Sequence, residues 1–569
     1  MKNLEVIRIL SNIADLLELQ EVPFKPQAYR QAARSIEALE EDIEEVWKRG
    51  ELTELPGIGE SIAEKIEEIL RTGKLSYYEQ LKKKSNIEYE QLRQIPSLGP
   101  KKIKILYEKL NIKNIAELEK ALREQKIRTL SGFGEETEKN LLQGLQLLKA
   151  RPHRFLYVQV APIVADLKKR LAALPFVQQV EIAGSFRRGK ETIGDVDILV
   201  ISSQPKKVTE AFVSLPDVKK ILAQGPTRSS LLLATNLQVD LRVMSEKEGG
   251  SALLYFTGSK EHNIELRKIA LKQGTTLNEY GLFTLKGKKW LAGRTEADIY
   301  QRLGLSYIEP ELRENRGEIA AARNRKMPQL LTTKDIPGVF HNHSTWSDGN
   351  NSLLEMAQEA EKIGLKYISF NDHYGHIGIT NPLNEKRLEK YLQEIEKVRK
   401  KVGIRIFTGV EIDILKDGTL PLSKKKLREL DVVIASVHVA LKMSVEEMTK
   451  RVCTALENNP VNILGHPTDR LLNVREPLPL QLDTVFSTAR DRNTFLEINS
   501  SSARMDLSGE HIKSALEQGC QFALSTDAHT LQQLHHYPLG VMMARRGWVE
   551  KKDLLNCWSL PKIEKALEK

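Results

Sequence analysis

Cysteine is scarce: Cys453, Cys520 and Cys557 are widely spaced, and no Cys-x-x-Cys occurs among 569 residues. That excludes a disulfide framework and a cysteine-ligated zinc site, and it fits a reducing cytosol. Long apolar runs are missing as well. Met1 to Leu19 alternates apolar and charged residues at helical spacing, and no later stretch is continuous enough to span a bilayer, so a soluble, cytoplasmic chain with no membrane partner is expected. Coiled-coil heptads and a long exposed apolar face are also lacking, which favours a monomer. Histidine is rare too, at twelve residues, yet those in the C-terminal half are not scattered at random.

Basic charge is in modest excess. Lys and Arg number 86 against 76 Asp and Glu, a formal net charge of +10, which favours a polyanionic partner and makes nucleic acid the first candidate. The chain is too long for one hydrophobic core, so several domains are expected.

Up to about residue 150 the pattern is helical, punctuated by Leu55-Pro56-Gly57-Ile58-Gly59, Ile95-Pro96-Ser97-Leu98-Gly99 and Leu130-Ser131-Gly132-Phe133-Gly134. Each turn opens a new helix. This is the form of a helix-hairpin-helix, whose glycine-rich turn frees NH groups at a helix N-terminus to hold a DNA phosphate without reading sequence. Gly57, Gly59, Gly99, Gly132 and Gly134 are the candidate DNA-facing positions, with Lys65 after the first turn and Lys101, Lys102 and Lys104 after the second. Ordinary helical turns would account for one such pattern better than for three. The middle copy has Ser97 where the others have glycine.

From about 155 to 310 strands and helices mix, with strand-like runs at Val177–Ile182, Asp197–Ser202, Ser230–Leu233 and Leu237–Met244. The most informative stretch runs Gly184-Ser185-Phe186-Arg187-Arg188-Gly189-Lys190-Glu191-Thr192-Ile193-Gly194-Asp195-Val196-Asp197. Two residues apart on a strand, Asp195 and Asp197 leave the same face and can grip the same divalent cations. The Gly-Ser turn offers NH groups and a hydroxyl to phosphate oxygens, and Arg187 or Arg188 can offset charge on a leaving phosphoryl group. A third carboxylate, Asp240, lies in the apolar strand Leu237-Gln238-Val239-Asp240-Leu241. The charged run Glu309–Lys334 has few large apolar residues and is expected to be an exposed linker.

Beyond about 335, seven apolar strands recur with helices between most of them: Gly338–His343, Lys366–His373, Ile404–Ile414, Asp431–His438, Val461–His466, Thr494–Ser500 and Gln521–His529. Such alternation predicts a β/α barrel with its functional residues at the strand C-terminal ends. Polar residues gather there. His341 with His343 and Asp527 with His529 are i, i+2 pairs, and Asp348, His373, Glu411, His438 and His466 each follow an apolar run. A lone histidine of this kind is more often a packing residue; nine coordinated positions point to a mixed His and carboxylate site suited to Zn or Mn.

Gly-Ser-Phe-Arg-Arg-Gly followed by Asp-x-Asp resembles the family X DNA polymerases, over roughly residues 1 to 315. Tyr255-Phe256-Thr257-Gly258-Ser259 is similar to that family's sugar-pocket segment, and Asn263 and Arg267 match positions that contact the nascent pair and the template. The resemblance implies that Asp195 and Asp197 bind two Mg or Mn ions and that Asp240 helps bind the catalytic one. It also implies that Gly184, Ser185, Arg188 and Gly194 hold the triphosphate of a deoxynucleotide. Gln238 stands where animal members carry an arginine. Lys65 matches a Schiff-base lysine that acts on abasic sugars, and Lys25, Tyr29 and Lys74 match its pocket, although Ser61 replaces a lysine and Phe24 a histidine. Lys65 is read either as that lyase nucleophile or as a solvated helix lysine.

The C-terminal constellation resembles the PHP phosphoesterase family, with His-x-His, Asp-His, Glu, Ser-Val-His, Gly-His-Pro and Asp-x-His in order. This implies a distorted seven-stranded β/α barrel holding up to three Mn or Zn ions and, beside such a polymerase, a 3′–5′ exonuclease, with 3′-phosphatase or abasic-site endonuclease action as variants. His376 and Arg504 are candidate substrate contacts. The expected organisation is multidomain: a helical lyase-like domain (1–85), a helical fingers-like domain (86–152), an α+β nucleotidyltransferase palm (153–245), a thumb-like domain (246–315), a linker (316–334) and the barrel (335–569). The expected substrates are gapped or primed DNA and deoxynucleoside triphosphates. Two rivals share some of these features: a nucleotidyltransferase acting on RNA or a small molecule, and a DNA-binding scaffold with an inert barrel.

Overall fold

The computed structural model describes residues 154–375 and 380–568, and within 2–145 all but 20–21, 38, 40–42, 73–74, 86, 94, 96–97, 131, 136, 139–140 and 143–144. The chain forms two compact units, Met1–Pro152 and His153–Lys569.

The first unit is helical among its described residues, with helices at Lys2–Leu19, Lys25–Glu37, Glu60–Thr72, Ser76–Ser85, Pro100–Leu110 and Ile115–Arg123, and shorter ones between. Glu60–Thr72 shows the logic: Ile62, Ile66, Ile69 and Leu70 fall on one face and are buried, while Lys65 and its acidic neighbours take the other. Gly57 has φ +77°, and a Cβ there would lie 2.6 Å from Gln31 Cγ, so the first turn requires glycine. Pro100 occupies the first turn of its helix directly after Gly99, where a missing NH costs nothing. Ser97 and Ser131 lie outside the described residues.

The second unit begins with a five-stranded sheet in the order Gln179–Ile182, Asp195–Ile201, Gln238–Met244, Arg228–Leu233, Val218–Gln224. Val196, Ile198 and Val200 alternate onto one face and pack with Val160, Val164, Leu167 and Phe212. The other face carries the acidic pair first and then Leu199 and Ile201, which are covered by Ala252 of the Gly249–Thr257 helix. Val218–Gln224 was not expected: it is an edge strand with six of seven residues exposed, so it carries no alternation to read.

Gly249–Thr257, Lys260–Lys272, Glu296–Arg302 and a three-stranded antiparallel sheet follow, packed around Leu254, Leu266, Ile299, Tyr300 and Leu312. The expected exposed linker is corrected here. Residues 318–323 form a helix whose Ala322 joins this core, Arg313 and Glu318 are fully buried, and Leu331 belongs to the barrel core. Two of its charges are paired inside, while Arg323, Arg325, Lys326 and Lys334 stay exposed: Arg313 NH1 lies 2.5 Å from Glu296, and Glu318 accepts from His262 Nδ1 at 2.6 Å and from the NH groups of Asn315 and Arg316.

Seven parallel strands then close into a barrel: Gly338–Asn342, Tyr367–Phe370, Arg405–Asp413, Val432–Ser436, Ile463–Leu464, Phe495–Asn499 and Phe522–Ala528. His373–Tyr374 adds a short pairing to Arg405–Asp413. Phe340, Tyr367, Phe407, Ile434, Ile463 and Phe495 fill the barrel together with Ile563 and Leu567 of the last helix. That packed core leaves the strand C-terminal ends to polar side chains.

Candidate active sites

Parallel pairing puts Asp197 opposite Asp240 and Asp195 opposite Gln238. The third carboxylate therefore arises from a neighbouring strand in register with the second. Gly184, at φ +64°, faces Asp197 so closely that a Cβ would collide with its Oδ2, and only glycine fits. Ser230 donates to Asp240 Oδ1, and Gln238 Nε2 donates to Oδ2 at 2.9 Å. The Gln238 that stands in place of an arginine thus still supports the third carboxylate. Burial, followed by the charges of Asp195 and Asp240, raises the Asp197 carboxyl to about 7. Three carboxylates on two neighbouring strands supply hard oxygen donors of the kind that divalent cations take.

A cleft of about 460 Å³ opens in front of them, lined by Gly184, Ser185, Arg188, Asp195, Asp197, Tyr255, Phe256, Gly258, Asn263 and Arg267, and also by Arg154, Lys190, Ser259 and Lys260. Asp240, Gly194 and Arg187 do not line it. Gly194 precedes Asp195, with Arg154 NH1 3.1 Å from where its Cβ would stand. Arg187 is committed elsewhere, to Glu296 through both terminal nitrogens at 2.8 and 2.7 Å and to Thr257 Oγ1 at 2.7 Å. Tyr255 and Phe256 meet edge to face at 5.1 Å, and Asn263 Nδ2 donates to the Tyr255 carbonyl at 2.7 Å. Arg154, Lys190 and Lys260 were missed by sequence reasoning because isolated basic residues carry no spacing signal.

At the barrel mouth all nine expected residues converge. Glu411 is the hub: its Oε2 lies 3.3 Å from His341 Nε2, 3.6 Å from His343 Nε2 and 3.0 Å from His373 Nδ1, and its Oε1 lies 3.2 Å from His438 Nε2 and 3.0 Å from His466 Nε2. Asp348 Oδ1 is 3.7 Å from His373 and 3.4 Å from His529, while Asp527 Oδ1 is 3.4 Å from His343. Three overlapping groups have metal-ligand spacing: His343, Asp348, His373 and His529; His341, His343 and Asp527; His373, Glu411 and His438. His341 Nε2, both ring nitrogens of His343 and Asp348 Oδ1 are buried with no hydrogen-bond partner. Orphaned donor atoms at such a focus fit metal ligation and are costly otherwise. Burial alone would raise the Glu411 carboxyl, but the charges of His341, His438 and His373 hold it well below the usual range.

The strands reach this arrangement through a bulge. Phe340 pairs with Ser525 but Asn342 with Ala528, so one strand carries an extra residue, and His341 and Asp527 sit there at φ +58° and +49°. The irregularity re-aims both side chains, at a backbone cost usual for functional positions.

Comparison with known proteins agrees along the whole chain. Family models match as a helix-hairpin-helix domain (1–75), a SAM-like helix-hairpin-helix tandem (89–147), a DNA polymerase beta palm (158–248), a DNA polymerase beta thumb (252–314) and a PHP domain (340–501). A DNA polymerase/3′-5′ exonuclease PolX of Bacillus subtilis is 36% identical over 573 residues, covering 100% of both chains. The chain belongs to the family X DNA polymerases that carry a PHP domain. A probable phosphatase of Thermoanaerobacter sp. is 30% identical over 229 residues, 38% of this chain and 88% of its own, and one of Clostridium acetobutylicum is 28% identical over 201 residues, 33% and 78%.

In this family X polymerase three carboxylates that sequence reasoning missed stand behind the barrel histidines. Glu497 Oε1 is 2.5 Å from His341 Nδ1, Asp413 Oδ1 is 2.8 Å from His438 Nδ1, and Asp469 Oδ1 is 3.5 Å from His466 Nδ1. Glu497 and Asp413 hydrogen-bond their imidazoles and orient them so that Nε2 faces the cluster, whereas Asp469 is only near His466, whose Nδ1 has no hydrogen-bond partner. A signal existed: Glu497 interrupts an apolar strand as Asp240 does, and Asp413 shares the parity of Glu411. Arg504 binds Asp469 and lies 3.5 Å from Asp527 Oδ2. His376 lies outside the described residues.

In the helical unit Lys65 Nζ donates to the Ser61 carbonyl at 2.7 Å and hydroxyl at 2.9 Å, and lies 5.4 Å from the Tyr77 ring centre. Both readings of Lys65 accommodate this. Tyr29 is buried against Tyr77, and burial pushes its hydroxyl up to about 12. Lys25 is exposed, while Lys74 and the Lys101 side chain are outside the described residues.

Proposed function

We propose that this polymerase fills short DNA gaps by two-metal nucleotidyl transfer at Asp195, Asp197 and Asp240, and trims 3′ ends in the barrel. The observation that carries the first half is Asp195 and Asp197 in a basic cleft, Asp197 against the Gly184 turn and in register with Asp240 on the next strand. Asp195 and Asp197 would hold two Mg or Mn ions and Asp240 one of them, with Mn or Zn at the nine barrel residues. Bound cations supply charge neutralisation at the attacking and leaving oxygens, and in the barrel activation of water. Ser185, Arg188, Lys190 and Arg154 orient and neutralise a deoxynucleoside triphosphate from the cleft wall. Tyr255 and Phe256 face the sugar, while Asn263 and Arg267 check the base pair. Asp240, held by Ser230 and Gln238, takes the primer 3′-hydroxyl proton.

Primer extension on a gapped duplex with Mg or Mn tests this. Asp197→Ala is expected to abolish extension while the fold persists; extension by Asp197→Ala sinks the palm assignment. A second barrel reading, 3′-phosphatase action, is favoured by the match of the barrel to probable phosphatases. A primer ending in a 3′-phosphate separates the two: release of mononucleotides supports the exonuclease, and release of inorganic phosphate alone supports the phosphatase.

A further inference from the structure

The loop that carries the cleft's basic residues is braced from the barrel side. Gly189, at φ +64°, abuts Met542 so closely that a Cβ would lie 2.6 Å from its Cγ. Met542 belongs to the Tyr537–Arg546 helix of the barrel. From the same helix Arg546 NH1 donates to the Arg188 carbonyl at 2.8 Å and lies 3.5 Å from Glu314. Glu314 in turn holds Arg188 Nε at 3.0 Å and Lys190 Nζ at 2.9 Å.

A second brace comes from the loop after the barrel residue His466. Arg470 NH2 lies 3.3 Å from Glu191 Oε1, and Asn473 Nδ2 donates to the Arg154 carbonyl at 2.8 Å. Arg470 Nε also donates to the carbonyl of Arg504, whose side chain reaches toward Asp527. Burial would raise the Glu191 carboxyl, and the Arg546 and Arg470 guanidiniums outweigh it and hold it low. Glu191 is thus a largely buried anion whose compensating charges come from the barrel and from the adjacent Lys190. Removing one partner of such a pair leaves an uncompensated charge, so the loop is expected to shift.

We infer that Arg470 and Glu191 are positioning residues of the polymerase centre: the barrel, through this pair, sets the loop that presents Arg188 and Lys190 to the triphosphate. The barrel is then part of the nucleotide site as well as a nuclease. The inference rests on the palm being the polymerase centre, which extension by the parent protein establishes in the same assay.

The test is steady-state extension of a gapped duplex by the full chain, with Arg470→Ala, Glu191→Ala, the double variant and Arg470→Lys. Each alanine variant is expected to raise KM for the deoxynucleotide on the order of tenfold with kcat within about twofold, and the double variant no further, as for two residues acting through one contact. Arg470→Lys should recover most of the loss. A positioning role predicts unchanged 3′ digestion by Glu191→Ala. Unchanged KM in both alanine variants overturns the inference, and so does a parallel fall of kcat, DNA affinity and thermal midpoint. A parent that fails to extend at all sinks the polymerase reading and the inference together, whereas normal parental extension with unaltered variant KM sinks the inference alone.

Discussion

Single side chains decide how the two sites hold their charge. Gln238 keeps one hydrogen bond on Asp240, and Ser230 keeps another. A hydrogen bond to a charged group contributes about 1.5–3 kcal/mol. Gln238→Ala is therefore expected to lower kcat for extension roughly tenfold or more with little change in nucleotide KM; an unchanged kcat would remove Gln238 from the support of Asp240. Glu296 lies between Arg187 and Arg313, and although burial opposes it, hydrogen bonds and charge from these arginines lower its carboxyl to about 2 from an unfolded value of 4.5. Its stabilisation is present above pH 4.5 and is lost as pH falls toward 2, an amount of about 3 kcal/mol. Chemical denaturation at pH 5 and pH 3 checks this: Glu296→Gln should flatten the loss of stability seen in the parent, and an identical loss in both proteins would contradict it. In the barrel, Glu497→Gln should weaken metal binding by roughly 10–100-fold in a chelator competition, because His341 loses its anionic partner.

At the scale of elements, legibility followed burial. Strands with one face largely buried, such as Gln238–Met244, announce themselves by alternation, and the barrel strands by continuous apolar runs that end in histidine or carboxylate. Val218–Gln224 is an exposed edge and left no pattern. The segment after Glu309 misled for the opposite reason, since Arg313 and Glu318 are buried in pairs and sequence shows the charges without their partners. Glu318 anchors its short helix to His262, and both side chains are fully buried. Glu318→Ala should cost about 1–3 kcal/mol for the unmet donors, read as a lowered thermal midpoint; an unchanged midpoint would show that the helix is not held there. The bulge at His341 and Asp527 was also illegible, because an i, i+2 spacing does not disclose how the backbone turns to aim it.

Across the whole molecule, the nine barrel residues were readable as a set before any fold was known, since they gather at the ends of apolar runs, two of which carry an i, i+2 pair. Their outer carboxylates were only faintly so: Glu497 interrupts an apolar strand and Asp413 shares the parity of Glu411, but the histidine each one holds is disclosed by the fold alone. The polymerase cleft was readable in its motif residues and not in its supports, which arrive from distant parts of the chain such as Glu314, Arg470 and Arg546.

The central claim is that one chain carries two metal centres of opposite effect on a 3′ end. A 5′-labelled primer in a gapped duplex, incubated with Mn and with or without deoxynucleotides, tests it using the parent, Asp197→Ala and His343→Ala. Asp197→Ala is predicted to shorten the primer without ever extending it, and His343→Ala to extend it without shortening it. Loss of both reactions in either variant, with its fold intact, would contradict two separable centres.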